Sequence, residues 1–93
     1  MASGVINSSK HSLGTGVSVP TTGYTCPKDG YVYLITTDTN SASYAQVTIN
    51  DIINVRASST GTQIGVDSIF VRTGMQLKSG VSGGGRVTFY PLE

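Results

Sequence analysis

The 93-residue chain has no tryptophan, one cysteine, one histidine and three prolines, and only 12% of its residues are charged. Each shortage removes a class of explanation. Cys26 has no second cysteine with which to close an internal disulfide, and His11 stands without the Cys/His cluster that a structural zinc ion requires. Nucleophilic hydrolysis needs a base beside the nucleophile, and the one imidazole sits in the N-terminal stretch. No catalytic residue, metal site or cofactor is therefore expected, and the chain reads as non-enzymatic. Six Lys/Arg against five Asp/Glu leave a formal net charge of +1, which supplies no field to gather nucleic acid or an anionic membrane, so neither partner is expected. Long apolar runs are also missing. Met1–Lys10 lacks the apolar core of a signal peptide, and nowhere do the roughly 18 consecutive apolar residues of a membrane span occur. Synthesis and assembly in the cytosol are the expectation, and Cys26 fits that reducing compartment as a small buried apolar residue.

What is present is β-forming and neutral. Hydrophobic residues make up 38% of the chain, enough for a core, while serine and threonine, twelve of each, and twelve glycines supply a polar, turn-rich remainder. This length accommodates one domain. A domain so small buries only about 60–65% of its unfolded surface and gains about 3–5 kcal/mol from its core. With disulfides and metals excluded, oligomerisation is the remaining means of reinforcement.

The first 15 residues show no periodic apolar face and read as an extended arm, residues 1–15, ahead of a single domain, residues 16–93. From Gly16 onward, short apolar runs are cut by turn residues about every ten positions, the pattern of a sandwich or barrel. Strands are expected at Gly16–Val19, at Gly30–Thr37 after the Pro27-Lys28-Asp29-Gly30 turn, at Tyr44–Ile49, at Ile52–Ala57 after an Asn50-Asp51 hairpin turn, at Val66–Arg72, at Met75–Lys78 and at Arg86–Leu92. No connection is long enough for a crossover helix, so pairing should be antiparallel. The expected fold is all-β, a compact antiparallel two-sheet sandwich of jelly-roll type.

Strand alternation singles out the candidate functional residues. In one strand Val32 and Leu34 point one way and Tyr31, Tyr33 and Ile35 the other; in the last strand Val87 and Phe89 oppose Tyr90. A strand apolar on both faces in a two-layer domain needs a cover for its outer face, and Tyr31, Tyr33, Ile35, Phe70 and Tyr90 are the expected contacts between copies of the chain. In the arm, Val5, Ile6 and Leu13 are the candidate docking residues for a partner surface. The aspartates, Asp29, Asp38, Asp51 and Asp67, fall in or beside turns, where their short side chains bond to backbone amides. Gly80-Val81-Ser82-Gly83-Gly84-Gly85-Arg86 superficially resembles a phosphate cradle. It leads into a strand, not a helix, and is read as a flexible hairpin loop.

The run Tyr24-Thr25-Cys26-Pro27-Lys28-Asp29-Gly30-Tyr31-Val32-Tyr33, the strand ending at Ile49-Asn50, and the closing Arg86-Val87-Thr88-Phe89-Tyr90-Pro91-Leu92 resemble small virion proteins of tailed bacteriophages. In that family a tyr-thr-ala-pro-x-asp-gly-tyr turn opens a trimeric jelly roll similar to the tumour necrosis factor fold. The resemblance spans residues 22–93. It departs from the pattern at Cys26, where a small residue is usual, and at Met75, near which a gly-asp turn is common. It implies a homotrimeric capsid decoration or head-fibre protein of the virion, assembled in the host cytoplasm, with itself and the major capsid protein as partners. The alternative it implies is a tail-fibre tip that binds a host receptor or glycan through Tyr24, Tyr44 and the glycine loop.

Overall fold

The computed structural model describes residues 13–36, 43–59 and 64–93, within which eight strands run in succession with no helix. They are β1 (Val17–Ser18), β2 (Tyr24–Thr25), β3 (Gly30–Thr36), β4 (Ser43–Ile49), β5 (Ile53–Ser59), β6 (Val66–Val71), β7 (Gln76–Ser82) and β8 (Gly85–Pro91). Two four-stranded antiparallel sheets result, ordered β1-β8-β3-β6 and β2-β7-β4-β5.

The period-2 pattern places the core between the sheets. Val32 and Leu34 of β3, Ala45, Val47 and Ile49 of β4, Leu77 of β7, and Val87 and Phe89 of β8 all turn inward and are buried, joined by Val19, Cys26, Ala57 and Val71. Three buried polar residues are satisfied locally. The Ser43 and Ser59 hydroxyls bond each other at 2.6 Å across the β4–β5 pair. Thr36 donates its N–H to the Gly65 carbonyl at 2.9 Å, and its Oγ1 accepts the Gly65 N–H at 2.8 Å, which pins the approach to β6. An unpaired buried polar group costs about 1–3 kcal/mol, so these pairings are conditions of the fold.

The β4–β5 turn forms where Asn50-Asp51 predicts it. Both residues have positive φ, 53° and 57°, and the Ile52 N–H returns to the Ile49 carbonyl at 3.0 Å, as in a type I′ turn. The Asn50 side chain then accepts the Gln76 N–H at 2.9 Å, while the Asn50 N–H donates to the Gln76 carbonyl at 2.8 Å. The hairpin is thereby fixed to β7.

The glycine-rich segment differs from its expected form. Gly80, Val81 and Ser82 belong to β7 and pair with Gln46, Ala45 and Tyr44 of β4, while Gly85 begins β8 opposite Thr36. Gly83 and Gly84 are the whole connection, and it passes the chain from one sheet to the other instead of closing a hairpin. The physical reason is close approach. A Cβ at Gly85 would strike the Tyr44 carbonyl and one at Gly80 would press on the Gln46 side chain, so glycine lets backbone pass where side chains would not. β2 was not expected either. It is two residues of ladder opposite Gln76 and Leu77 that only the folded context creates.

Candidate functional site

Register stacks the outward side chains of β8, β3 and β6 into three rows. Tyr90, Tyr31 and Phe70 form the first, Thr88, Tyr33 and Ser68 the second, and Arg86, Ile35 and Val66 the third. Four of the five aromatic or aliphatic residues expected at a subunit contact are rings in direct contact. Tyr31 meets Phe70 edge-on at 5.4 Å between centroids, Tyr33 meets Tyr90 edge-on at 5.4 Å, and Tyr31 and Tyr33 lie stacked at 6.4 Å. Tyr33 is 37% exposed, Ile35 36% and Phe70 43%, so a connected aromatic surface faces outward. Val66, 66% exposed, extends it. The sequence reading passed over Val66, although the alternation Val66, Ser68, Phe70 along β6 carries the signal that places it there. Arg86 is the one charged side chain in these rows.

The opposite outer face has another character. β7, β4 and β5 present Gln46, Thr48, Asn54, Arg56, Ser58 and Lys78, and the ring on that face, Tyr44, is covered by the Arg56 guanidinium at 4.0 Å. A cation over an aromatic face stabilises by about 0.5–1 kcal/mol at an exposed site and leaves the surface wettable. One sheet is thus solvated on its outside, as antiparallel sheets commonly are, and the other is aromatic there.

The remaining candidates are dispersed. Tyr24 turns inward against Phe89, 5.8 Å between centroids, and pairs with Leu77, whereas Tyr44 pairs with Ser82, about 17 Å further along β7. Tyr44 and the glycine segment therefore lie side by side, Tyr44 opposite Ser82 with its carbonyl against Gly85, while Tyr24 stands apart from both. Leu13 is 43% exposed and bridges to Leu92, and the Gly14 N–H donates to the Pro91 carbonyl at 2.7 Å, so the end of the expected arm runs alongside the end of β8. Val5 and Ile6, with His11, lie outside the described residues, as does Asp38.

Groups with chemical potential are engaged in structure. Asp29 accepts from the Thr73 N–H at 2.9 Å and from the Thr73 hydroxyl at 3.0 Å; these bonds, the backbone one foremost, hold its carboxyl below the usual value. Asp67 accepts the Ser68 N–H at 2.8 Å, and Asp51 pairs with Lys78 at 3.1 Å. Cys26 is buried, and burial pushes its thiol up, away from the reactive thiolate. A groove of ≈ 410 Å³ opens where β1 and β2 are too short to flank all of β8 and β7, lined by hydroxyls, valines and the single charged Arg86. Among the described residues no three His, Cys, Asp or Glu side chains come together as a metal site. Comparison with family models, with curated proteins and with solved structures finds no match for this chain in any of the three.

Proposed function

We propose that this protein is a non-enzymatic structural component of a tailed-phage virion, a capsid decoration or head-fibre protein that binds the shell as a homotrimer of jelly-roll subunits. The observation that carries the reading is the contrast between the two outer faces. Tyr31, Tyr33, Ile35, Val66, Phe70 and Tyr90 form one apolar surface on β8, β3 and β6, while the other sheet is polar and charged on its outside. A monomer gains nothing by leaving such a surface wet, and tyrosine is enriched where protein surfaces meet because it buries a ring and still satisfies a hydroxyl at the rim.

The strand orders β1-β8-β3-β6 and β2-β7-β4-β5 support the jelly-roll part of the reading. Two Greek keys wrapped together distribute eight strands between two sheets in this manner, with first and last strands as neighbours. The resemblance of the Tyr24–Tyr33 run and of the closing strand to phage virion proteins supplies the particle. The test has two measurements: mass in native buffer, and labelling of particles by an antibody or tag. A trimer present in many copies over the shell sustains the reading. A stable monomer removes its basis, and labelling confined to a few copies at the tail assigns the protein to a fibre tip.

A further inference from the structure

We propose that Arg86 of one copy of the chain pairs with Asp67 of the next, so that the groove beside β8 is completed by a second copy. This rests on the homotrimer reading and adds to it the order of the contact and the charges that fix it. Among the described residues the other side-chain charges are answered within the copy. Lys78 pairs with Asp51 and Lys28 with Glu93, Arg72 lies in the field of Asp29, and Arg56 covers the Tyr44 ring. Arg86 and Asp67 meet no opposite charge among the same residues. They stand on β8 and β6, two strand spacings or about 10 Å apart across one sheet, with the aromatic rows between them.

Each charge sits where a neighbouring copy can reach it. Arg86 is exposed and lines the groove of ≈ 410 Å³ together with the Ser18 and Thr88 hydroxyls, a groove left open because β1 is only two residues long. Asp67 lies on β6, the last strand in the sheet order, and turns its carboxylate to that free edge, where it accepts the Ser68 N–H at 2.8 Å. This bond occupies a donor that an added strand would need, so the edge meets a neighbour through side chains and does not extend the sheet. The other carboxylate oxygen has no partner among the described residues.

Register makes the charged and the aromatic parts of the contact agree. β6 and β8 both run antiparallel to β3 and are therefore parallel to each other. Val66 shares a row with Arg86, and Phe70 shares a row with Tyr90, four residues further along each strand. A rotation about an axis along the strands that brings Asp67 to the level of Arg86 on the next copy thus brings Phe70 to the level of Tyr90. A threefold ring repeats this contact three times, with every copy giving one charge of each sign. Such a pair contributes order more than strength: a reversed placement sets like charges together, while the matched one steers association.

The test measures mass in native buffer across a dilution series for full-length wild type, Arg86→Asp, Asp67→Arg and the double reversal. Each single reversal sets like charges together and should raise the concentration of half assembly by about tenfold or more; the double reversal should return it to near the wild-type value. Arg56→Asp, a reversal on the other outer face, should assemble as wild type does. Circular dichroism identifies any variant that fails to fold. In that case Arg86→Gln, Asp67→Asn and the two together take the place of the reversals, and the double should assemble no more weakly than either single. Single reversals that assemble like wild type, a folded double reversal that does not regain assembly, or neutral substitutions whose losses add would each overturn the pair and leave the homotrimer in place. A wild type that is monomeric removes the homotrimer reading, and the contact falls with it.

Discussion

Asp29 holds Thr73 by two hydrogen bonds to one carboxylate oxygen, 2.9 Å from the backbone N–H and 3.0 Å from the hydroxyl. The pair ties the turn that opens β3 to the turn that links β6 with β7, and so joins the entry of one sheet to the crossing between both. Forty-four positions separate the two residues in sequence, so the bond forms only once the sheets are in place.

Acid should loosen this clasp. The bonds from Thr73 hold the Asp29 carboxyl below its ordinary value of 3.8. A carboxyl whose folded pKa is depressed contributes stability that is fully present above the unfolded value and disappears as pH falls through the folded one. Denaturant midpoints measured from pH 6 down to pH 2 should therefore fall more steeply below about pH 4 in wild type than in Asp29→Asn. Equal slopes in the two proteins would show that the clasp carries no acid sensitivity.

Asn50 combines two roles that substitution can separate. It accepts positive φ, 53°, and its side chain takes the Gln76 N–H. Asn50→Gly keeps the backbone freedom and loses the bond, whereas Asn50→Ala loses both. Unfolding experiments should rank wild type above Asn50→Gly above Asn50→Ala, with the alanine variant lower than wild type by about 1–3 kcal/mol. An alanine variant as stable as the glycine one would show that the turn imposes no strain.

Among the described residues Phe89 is the largest side chain buried completely in the core, and it anchors both sheets: it lies on β8, touches the Tyr24 ring from the opposite sheet, and fills the space above Gly30. Phe89→Ala should cost about 3–5 kcal/mol, which for a domain of this size approaches the whole net stability. Circular dichroism at 25 °C should report a largely unfolded chain. A variant with a cooperative melt within a few degrees of wild type would place the core elsewhere.

Much of this architecture is written in local alternation. Val32 and Leu34 against Tyr31, Tyr33 and Ile35, and Ala45, Val47 and Ile49 together on one side, assign inward and outward faces without knowledge of the partners. What alternation cannot encode is the pairing of distant strands. Gly30 lies opposite Pro91 on one side and Val71 on the other, and nothing near any of the three specifies it. The Gly80–Arg86 segment misleads for a related reason. Glycines carry no side-chain signal of direction, so a segment that is mostly strand and crosses between sheets looks the same in sequence as a loose loop. Ile53 begins β5 as alternation predicts, whereas Ile52, read as the first residue of that strand, lies in the turn and is 83% exposed.

Tyr33 sits at the centre of the outward rows, between Thr88 and Ser68, with Tyr31 stacked at 6.4 Å and Tyr90 edge-on at 5.4 Å. If this face joins copies of the chain, Tyr33→Asp places three carboxylates in or near a contact that excludes water, and each must be desolvated or must force the subunits apart. The substitution should lower oligomer mass in native buffer and melting temperature together, because association stabilises the folded state by mass action. The matching control is Thr48→Asp on the outer face of the other sheet, between Asn54 and Lys78, where a carboxylate meets water and a nearby cation. That variant should keep both the mass and the melting temperature of wild type. Dilution adds a second discriminator: an associated wild type should melt lower as concentration falls, while Tyr33→Asp should melt at one temperature throughout. A Tyr33→Asp protein of unchanged mass would remove the aromatic face from subunit contact, and one that is monomeric with an unchanged melting temperature would show that association contributes nothing to stability.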